Sequence, residues 1–532
     1  MGHFLLSNLF LVISAVCLIV PFSSALDVDF AYHDYPQMTA ILRRFNREHP
    51  ELTKLYSIGK SVQGRELWVM LVTSEPNTEP LLKPNLKYVA NMHGNEPVGR
   101  EMMLHLLSYL LTNYGKDDYV TWLLDNNRLH IMPSMNPDGF ELSVEGECSG
   151  TQGRGNANFQ DLNRNFPDYF SSTNPVAQPE TAAMREWITS TQFVLSANFH
   201  GGALVASYPF DNIPKNTPSN FRRMYSASVT PDDNVFRHLA ESYSFNHKNM
   251  YLGVTCRDGN PPFPNGTTNG AAWYALQGGM QDFNYVWAGC MEITLEISCC
   301  KYPKAYTLPQ FWNDNKAAIL QYLKEAHQGV WGQVIDPSKS PVSNATIRIK
   351  GKEFGSRTTA RGEYWRILLP GSYILQVEAR GYEPTEIPIE VTKGVIIQNI
   401  TVYPLATNEA RSELNTRSGL FPSTSPVFNS GSSLKATWPT FTVNSNLETT
   451  KPFETFGDGF EFIMGDNITT NSSNENLENA ETTQEISNLT TLDPNFIDSS
   501  HDRSTSRFVR AVPYYAVLGN IWAVLLHRQT FR

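Results

Sequence analysis

Short unbroken apolar runs and longer amphipathic stretches alternate over the first three fifths of the chain. Residues 87–92 (KYVANM) and 193–199 (FVLSANF) are runs of the first kind. Their length and continuity predict strands buried on both faces. Residues 98–113 (VGREMMLHLLSYLLTN) and 309–327 (PQFWNDNKAAILQYLKEAH) are of the second kind, and their spacing predicts helices. Strands alternating with helices over 26–328 predict an α/β sheet with helices on both faces. At Gly329 the pattern changes. VWGQVI, ATIRIKG, YWRILL, SYILQVEA, IPIEV and VIIQNITVY follow one another up to residue 404, with Pro341, Gly355, Gly362, Pro370 and Gly381 between them. Short alternating runs separated by turn residues predict a small β-sandwich of about seven strands over 329–404.

Beyond Pro404 the periodicity stops. Residues 405–510 are rich in Ser, Thr, Asn and Glu; such a segment buries too little apolar surface to offset its ordering entropy, so it reads as a disordered stalk. A last apolar patch, 511–526 (AVPYYAVLGNIWAVLL), closes the pattern. It has 16 residues and includes Gly519 and Asn520, short of the ~20 that a spanning helix needs. With 501–510 as a polar spacer and Asp498, Ser499 and Ser500 as small residues, 511–532 is expected to be a lipid-anchor signal. Its polar end, HRQTFR, departs from that pattern, and a short amphipathic tail on a secreted protein is the plainer reading.

At the other end, residues 4–22 are apolar and are followed by Ser23, Ser24 and Ala25, which reads as a signal peptide spanning 1–25 and cleaved after Ala25. Cys17 would leave with it. Cys148, Cys256, Cys290, Cys299 and Cys300 remain, an odd number that in an oxidising compartment implies two disulfides and one spare thiol. Sequons at Asn265, Asn344, Asn399, Asn467, Asn471 and Asn488 agree with a secreted, extracellular glycoprotein. The net charge of −10, without basic blocks, argues against nucleic acid as a partner.

The chemistry gathers just beyond the two apolar runs. His93 and Glu96 follow the first, three residues apart, so one turn of chain can offer imidazole nitrogen and carboxylate oxygen to one ion; zinc accepts both. An H-x-x-E pair is by itself a weak signal. His200 directly follows the second run, and sites in open α/β sheets collect beyond the carboxyl ends of strands. Gly201 and Gly202 let the chain turn away behind it.

Five segments carry a resemblance: HGNE (93–96), GRGNANFQDLNRNFPD (153–168), NFHGG (198–202), NGAAWYALQGGMQDFNY (269–285) and EITLEISCCKYP (292–303). In this order they resemble the zinc metallocarboxypeptidases, and more narrowly the regulatory branch that includes carboxypeptidases N, E, M and D. The similarity runs over 30–404. It implies a mixed-sheet catalytic domain followed by a transthyretin-like sandwich, one Zn2+ per chain, a monomer, and removal of single Lys or Arg residues from peptide C-termini. On the matching positions it implies His93, Glu96 and His200 as metal ligands. Glu296 would be the base that takes a proton from the attacking water and passes it to the leaving amine. Arg154 would steady the oxyanion, and Asn163, Arg164 and Tyr274 would clamp the terminal carboxylate, a task suited to a planar guanidinium. Asp211 would form the floor of a pocket for a cationic side chain, with Gln281 as a polar wall. The branch pattern also implies Cys148–Cys300 and Cys256–Cys299, with Cys290 free. A second reading is a carboxypeptidase-like binding protein without turnover. All the matched catalytic positions are intact, so the sequence supplies no reason for it.

Overall fold

The computed structural model describes residues 26–172, 175–215, 226–256 and 262–405. The signal segment, most of the stalk, the tail and the sequons at Asn467, Asn471 and Asn488 lie outside the described residues.

An eight-stranded mixed sheet forms the first layer system. Its strands are β1 (Thr53–Lys60), β2 (Glu66–Val72), β3 (Asn85–Ala90), β4 (Arg128–Met132), β5 (Phe193–His200), β6 (Ala203–Tyr208), β7 (Thr267–Asn269) and β8 (Met291–Ser298), in the spatial order β1-β2-β4-β3-β5-β8-β6-β7. The central four, β4, β3, β5 and β8, are parallel. All eight residues of β5 are buried, the state that the continuous run 193–199 predicts. Leu195, Ala197 and Phe199 belong to the larger core with Tyr88, Leu104 and Tyr322. The alternate positions of β5 are Ser196, Asn198 and His200, and they pair with Glu292, Thr294 and Glu296 of β8. On β5 and β8 this face of the sheet therefore carries a polar row that ends at the carboxyl ends of the strands, while Val69, Val89 and Met132 of the neighbouring strands belong to a second apolar cluster. Deep in that row Lys87 Nζ lies 2.7 Å from Glu292 Oε2 and 2.6 Å from Ser196 Oγ. The charges are fully buried, and pairing is what makes their burial tolerable.

The predicted helices are present as Val98–Asn113 and Leu308–Lys324. Gly99 admits the first of them against the sheet: a Cβ there would stand 2.6 Å from the Cβ of Phe199. The helix thus starts close above β5, directly after the His93–Glu96 turn.

The sandwich begins with β9 (Gly329–Ile335) and continues through β10 (Thr346–Ile349), β11 (Gly355–Arg357), β12 (Glu363–Ile367), β13 (Gly371–Glu378), β14 (Thr385–Val391), β15 (Val395–Ile397) and β16 (Ile400–Thr401). One sheet has the order β11-β10-β13-β14, the other β12-β9-β15, with β16 also on β9. There are eight strands where the sequence suggests about seven: the run 395–403 splits in two, and β11 lies outside the six apolar runs. The Asn399 side chain accepts the Gln333 N–H at 2.9 Å, replacing a ladder bond between β15 and β16. Trp331, Phe354, Trp365 and Ile367 of the sandwich belong to the same apolar cluster as the first domain's core. Around that seam, Arg366 and Lys352 both reach Asp232, and Leu82 N–H donates to Glu363 at 2.6 Å. Among the described residues, no helix is long and apolar enough to cross a membrane.

Candidate active site

His93 is presented by a tight turn after β3. Asn91 takes a positive φ of 56°, and its Nδ2 donates to the carbonyls of His93 and Gly94 at 2.9 and 3.0 Å. Glu96 N–H then bonds back to the His93 carbonyl at 3.0 Å. Gly94 has no room for a side chain, since a Cβ would lie 2.1 Å from the Gly139 carbonyl carbon. His200 ends β5, paired in register with Glu296 on β8.

These residues converge. Donor atoms of His93, Glu96 and His200 lie within 4.8 Å of one another, and all three residues are buried. Both imidazoles turn Nδ1 inward: His93 Nδ1 is 2.9 Å and His200 Nδ1 3.0 Å from Glu96 Oε2. The opposite ring nitrogens are occupied. His93 Nε2 meets Asp161 Oδ1 at 3.0 Å. Asn198 Nδ2 lies 2.7 Å from His200 Nε2, and Asn198 Oδ1 is buried without a hydrogen-bond partner. With Nδ1 of His200 holding a metal, Nε2 carries the proton, and the Asn198 amide turned over, Oδ1 towards Nε2, is the acceptor it needs. Burial moves His200 down to about 4, so the ring is neutral and its lone pair free at neutral pH. Burial alone would raise Glu96, but the charge of His93 and the bonds from both histidines hold it well below the usual carboxylate range. Two imidazole nitrogens and one carboxylate oxygen, each imidazole backed by a second polar group, are a donor set that fits zinc.

A cavity of about 270 Å³ opens on this group; His93, Glu96, Arg154, Asn163, His200, Asp211, Tyr274 and Glu296 all line it. Arg154 bonds Glu96 Oε1 at 3.0 Å and Asp161 Oδ2 at 3.0–3.1 Å. Asn163 takes the Met280 N–H on Oδ1 at 2.9 Å, which leaves its Nδ2 donors for a ligand. Tyr274 is 41% exposed and packs edge-on against Trp273 at 4.8 Å. Glu296 Oε2 is buried without a hydrogen-bond partner; burial, then the negative charge of Glu96, push its carboxyl up to about 8 against the pull of Lys301 and Arg154.

Asp211 is also buried. Its Oδ1 accepts the Gln281 amide at 2.6 Å. Gly270 and Gly279 press against the carboxylate, since added Cβ atoms would stand 2.1 Å from Oδ1 and 2.6 Å from Oδ2. Burial raises Asp211 to about 7, opposed by the charge of Arg164 and the Gln281 bond. Arg164 and Gln281 do not line the cavity. Arg164 donates to the Asn163 carbonyl at 2.9 Å, and Gln281 acts through Asp211, so the polar wall that the sequence suggests at 281 is a support behind the floor.

Asp161, Asn198 and Lys301 were not singled out by sequence reasoning. Asp161 stands two residues before Asn163 in the DLNR segment, and Asn198 two before His200 on the same strand face, so a period-two reading of β5 would have found the latter. Lys301 follows the cysteine pair. Disulfides join Cys148 to Cys300 and Cys256 to Cys299, and Cys290 is a buried free thiol. Asn265, Asn344 and Asn399 are exposed.

A zinc carboxypeptidase family model matches residues 38–318, and a carboxypeptidase regulatory-like domain matches 329–403. Carboxypeptidase M of Mus musculus is 51% identical over 368 residues, covering 69% of this chain and 82% of that protein. Carboxypeptidase D of Anas platyrhynchos is 48% identical over 70% of this chain, which spans only 27% of that longer protein. The carboxypeptidase N catalytic chain of Rattus norvegicus is 42% identical, covering 68% of this chain and 84% of that protein. With a matched domain over more than half its length and a His–Glu–His group at the ends of its central strands, this chain belongs to the zinc carboxypeptidase family.

Proposed function

We propose that this zinc carboxypeptidase releases single C-terminal Lys or Arg residues from peptides, in the secretory pathway or outside the cell. The observation that carries the preference is Asp211: a buried carboxylate lining the same cavity as the metal-binding group. A cationic side chain satisfies it, whereas an apolar one leaves it desolvated and unpaired.

In this reading His93, Glu96 and His200 hold the ion. Zinc, when bound, supplies Lewis acidity towards the scissile carbonyl, lowers the pKa of water to about 7, and favours the ionised form of Glu296 by its charge. Glu296 takes a proton from the attacking water on its unpartnered oxygen and delivers it to the leaving amine. Arg154 faces the developing oxyanion, held in place by Glu96 and Asp161. Asn163 and Tyr274, which line the cavity, receive the terminal carboxylate, which restricts the enzyme to chain ends; Arg164 stands behind them, its charge felt at Tyr274 and Asp211, and meets the carboxylate only if its guanidinium leaves the Asn163 carbonyl. All these groups come from one chain, so a monomer is sufficient. The two disulfides and the exposed sequons at Asn265, Asn344 and Asn399 support passage through an oxidising, glycosylating compartment. The sequence pattern of 498–532 supports a lipid anchor on the outer membrane face, to be tested by phospholipase release from intact cells.

The test of the central reading is hydrolysis of matched peptides ending in Arg, Lys, Leu or Phe, followed by release of the free amino acid. Faster turnover of the basic ends is expected. A preference for Leu or Phe would sink the proposal.

A further inference from the structure

Lys301 enters the cavity from an unusual anchorage. It directly follows Cys299 and Cys300, which are tied to Cys256 and Cys148. Its own N–H bonds the Cys148 carbonyl at 3.3 Å, and Tyr302 N–H bonds the Glu147 carbonyl at 3.2 Å. Ser298 Oγ donates to the Cys300 carbonyl at 2.9 Å. The segment that carries the side chain is thus fixed on both sides by covalent and hydrogen bonds.

The side chain is aimed at the metal-binding group. Nζ contacts Glu96 Oε1 and lies 3.2 Å from the Gly201 carbonyl oxygen. The room for it is made by Gly202, whose added Cβ would come within 3.2 Å of Nζ and 3.4 Å of Cγ. Gly202 has a φ of +119°, which disfavours any side chain there. Glu96 therefore has its two oxygens divided. Oε1 takes Lys301 and Arg154; Oε2 faces both imidazoles and the Gly201 N–H.

We propose that Lys301 is a positioning residue of the metal centre, orienting the Glu96 carboxylate through its contact with Oε1. The inference rests on His93, Glu96 and His200 being the ligands. Groups that orient a ligating carboxylate influence metal affinity as well as rate. Two effects of the ammonium oppose each other: orientation of the carboxylate favours the ion, and the positive charge repels it. Orientation dominates here, so the sign of the change in zinc affinity decides between the two effects.

The experiment compares the wild-type chain with Lys301→Met, of similar length without charge, and Lys301→Arg. Zinc affinity is measured by competition with a chromophoric chelator, and thermal midpoints are recorded on the metal-free proteins. The expected result is a roughly 10–100-fold weaker zinc affinity for Lys301→Met, recovery of most of it in Lys301→Arg, and unchanged metal-free midpoints. Unchanged or tighter zinc binding by Lys301→Met would overturn the proposal, as would a loss in proportion to a lowered metal-free midpoint. If Lys301→Met does not fold, Lys301→Arg decides alone: zinc affinity near wild type supports the proposal, and a loss of tenfold or more rejects it. His200→Ala, measured alongside, separates the two readings: if it too keeps full zinc affinity, the ligand assignment itself has failed.

Discussion

Two buried carboxylates in one cavity carry different duties, and each has its own signature. Glu296 lies within a largely apolar strand, raised to about 8 by burial and by Glu96, with one oxygen free of partners. Glu296→Gln keeps the shape and the three metal-binding residues but removes the base. The expected outcome is normal zinc content by elemental analysis and a fall in kcat of at least ~100-fold; a variant retaining more than about a tenth of the rate excludes Glu296 as the base, given that typical loss. Asp211, raised to about 7 by burial, is neutral below that pH and anionic above it. KM for a peptide ending in Arg should therefore rise as pH falls below about 7, while KM for one ending in Leu does not rise. Parallel pH profiles of the two KM values would contradict the assignment of Asp211 to the pocket.

At the scale of elements, the pocket floor depends on two glycines as well as on the Gln281 amide. Gly279 precedes the short helix Met280–Phe283 with an ordinary φ of −71°, so alanine meets no backbone strain there. Its Cβ would nevertheless stand 2.6 Å from Asp211 Oδ2 and must displace the carboxylate. Displacements of about 1 Å in a positioned site cost on the order of 10²-fold in rate. Gly279→Ala should lower kcat/KM for C-terminal Arg by that order and for C-terminal Leu much less, with the thermal midpoint nearly unchanged. Equal losses on both substrates would show that the glycine serves the fold and not the pocket.

For the molecule as a whole, the sandwich is joined to the first domain around Asp232. This carboxylate receives Arg366, Lys352 and the Tyr285 hydroxyl. Burial would raise Asp232, but the charges of Arg366 and Lys352 lower it below its ordinary value. The stability it contributes is thus fully present above the unfolded value of about 3.9 and is lost as pH falls through the lower folded value. Asp232→Ala leaves Arg366 buried without its partner, and breaking such a pair costs about 3–5 kcal/mol. A large drop in thermal midpoint is expected, with substantial recovery in Asp232→Ala combined with Arg366→Met. Failure of the second change to restore stability would mean that the seam is held by its apolar contacts and not by this pair.

Much of this was already determined along the chain. The runs 87–92 and 193–199 read as strands because burial on both faces requires continuous apolar residues, and the shift at Gly329 marks a change of period that needs no tertiary contact to be seen. His93, Glu96 and His200 were legible because two lie within one turn of chain and the third ends a recognisable strand. What only the tertiary structure decided are the pairings between distant segments. Nothing local says that Asp161 backs His93, that Lys301 reaches Glu96, or that Gly270 and Gly279 wedge Asp211. Those contacts follow from the placement of β5 between β3 and β8 and from the loops that leave their carboxyl ends. The physical reason is that periodicity records which face of an element is buried, whereas a hydrogen bond across 68 or 205 residues depends on which elements the fold sets side by side.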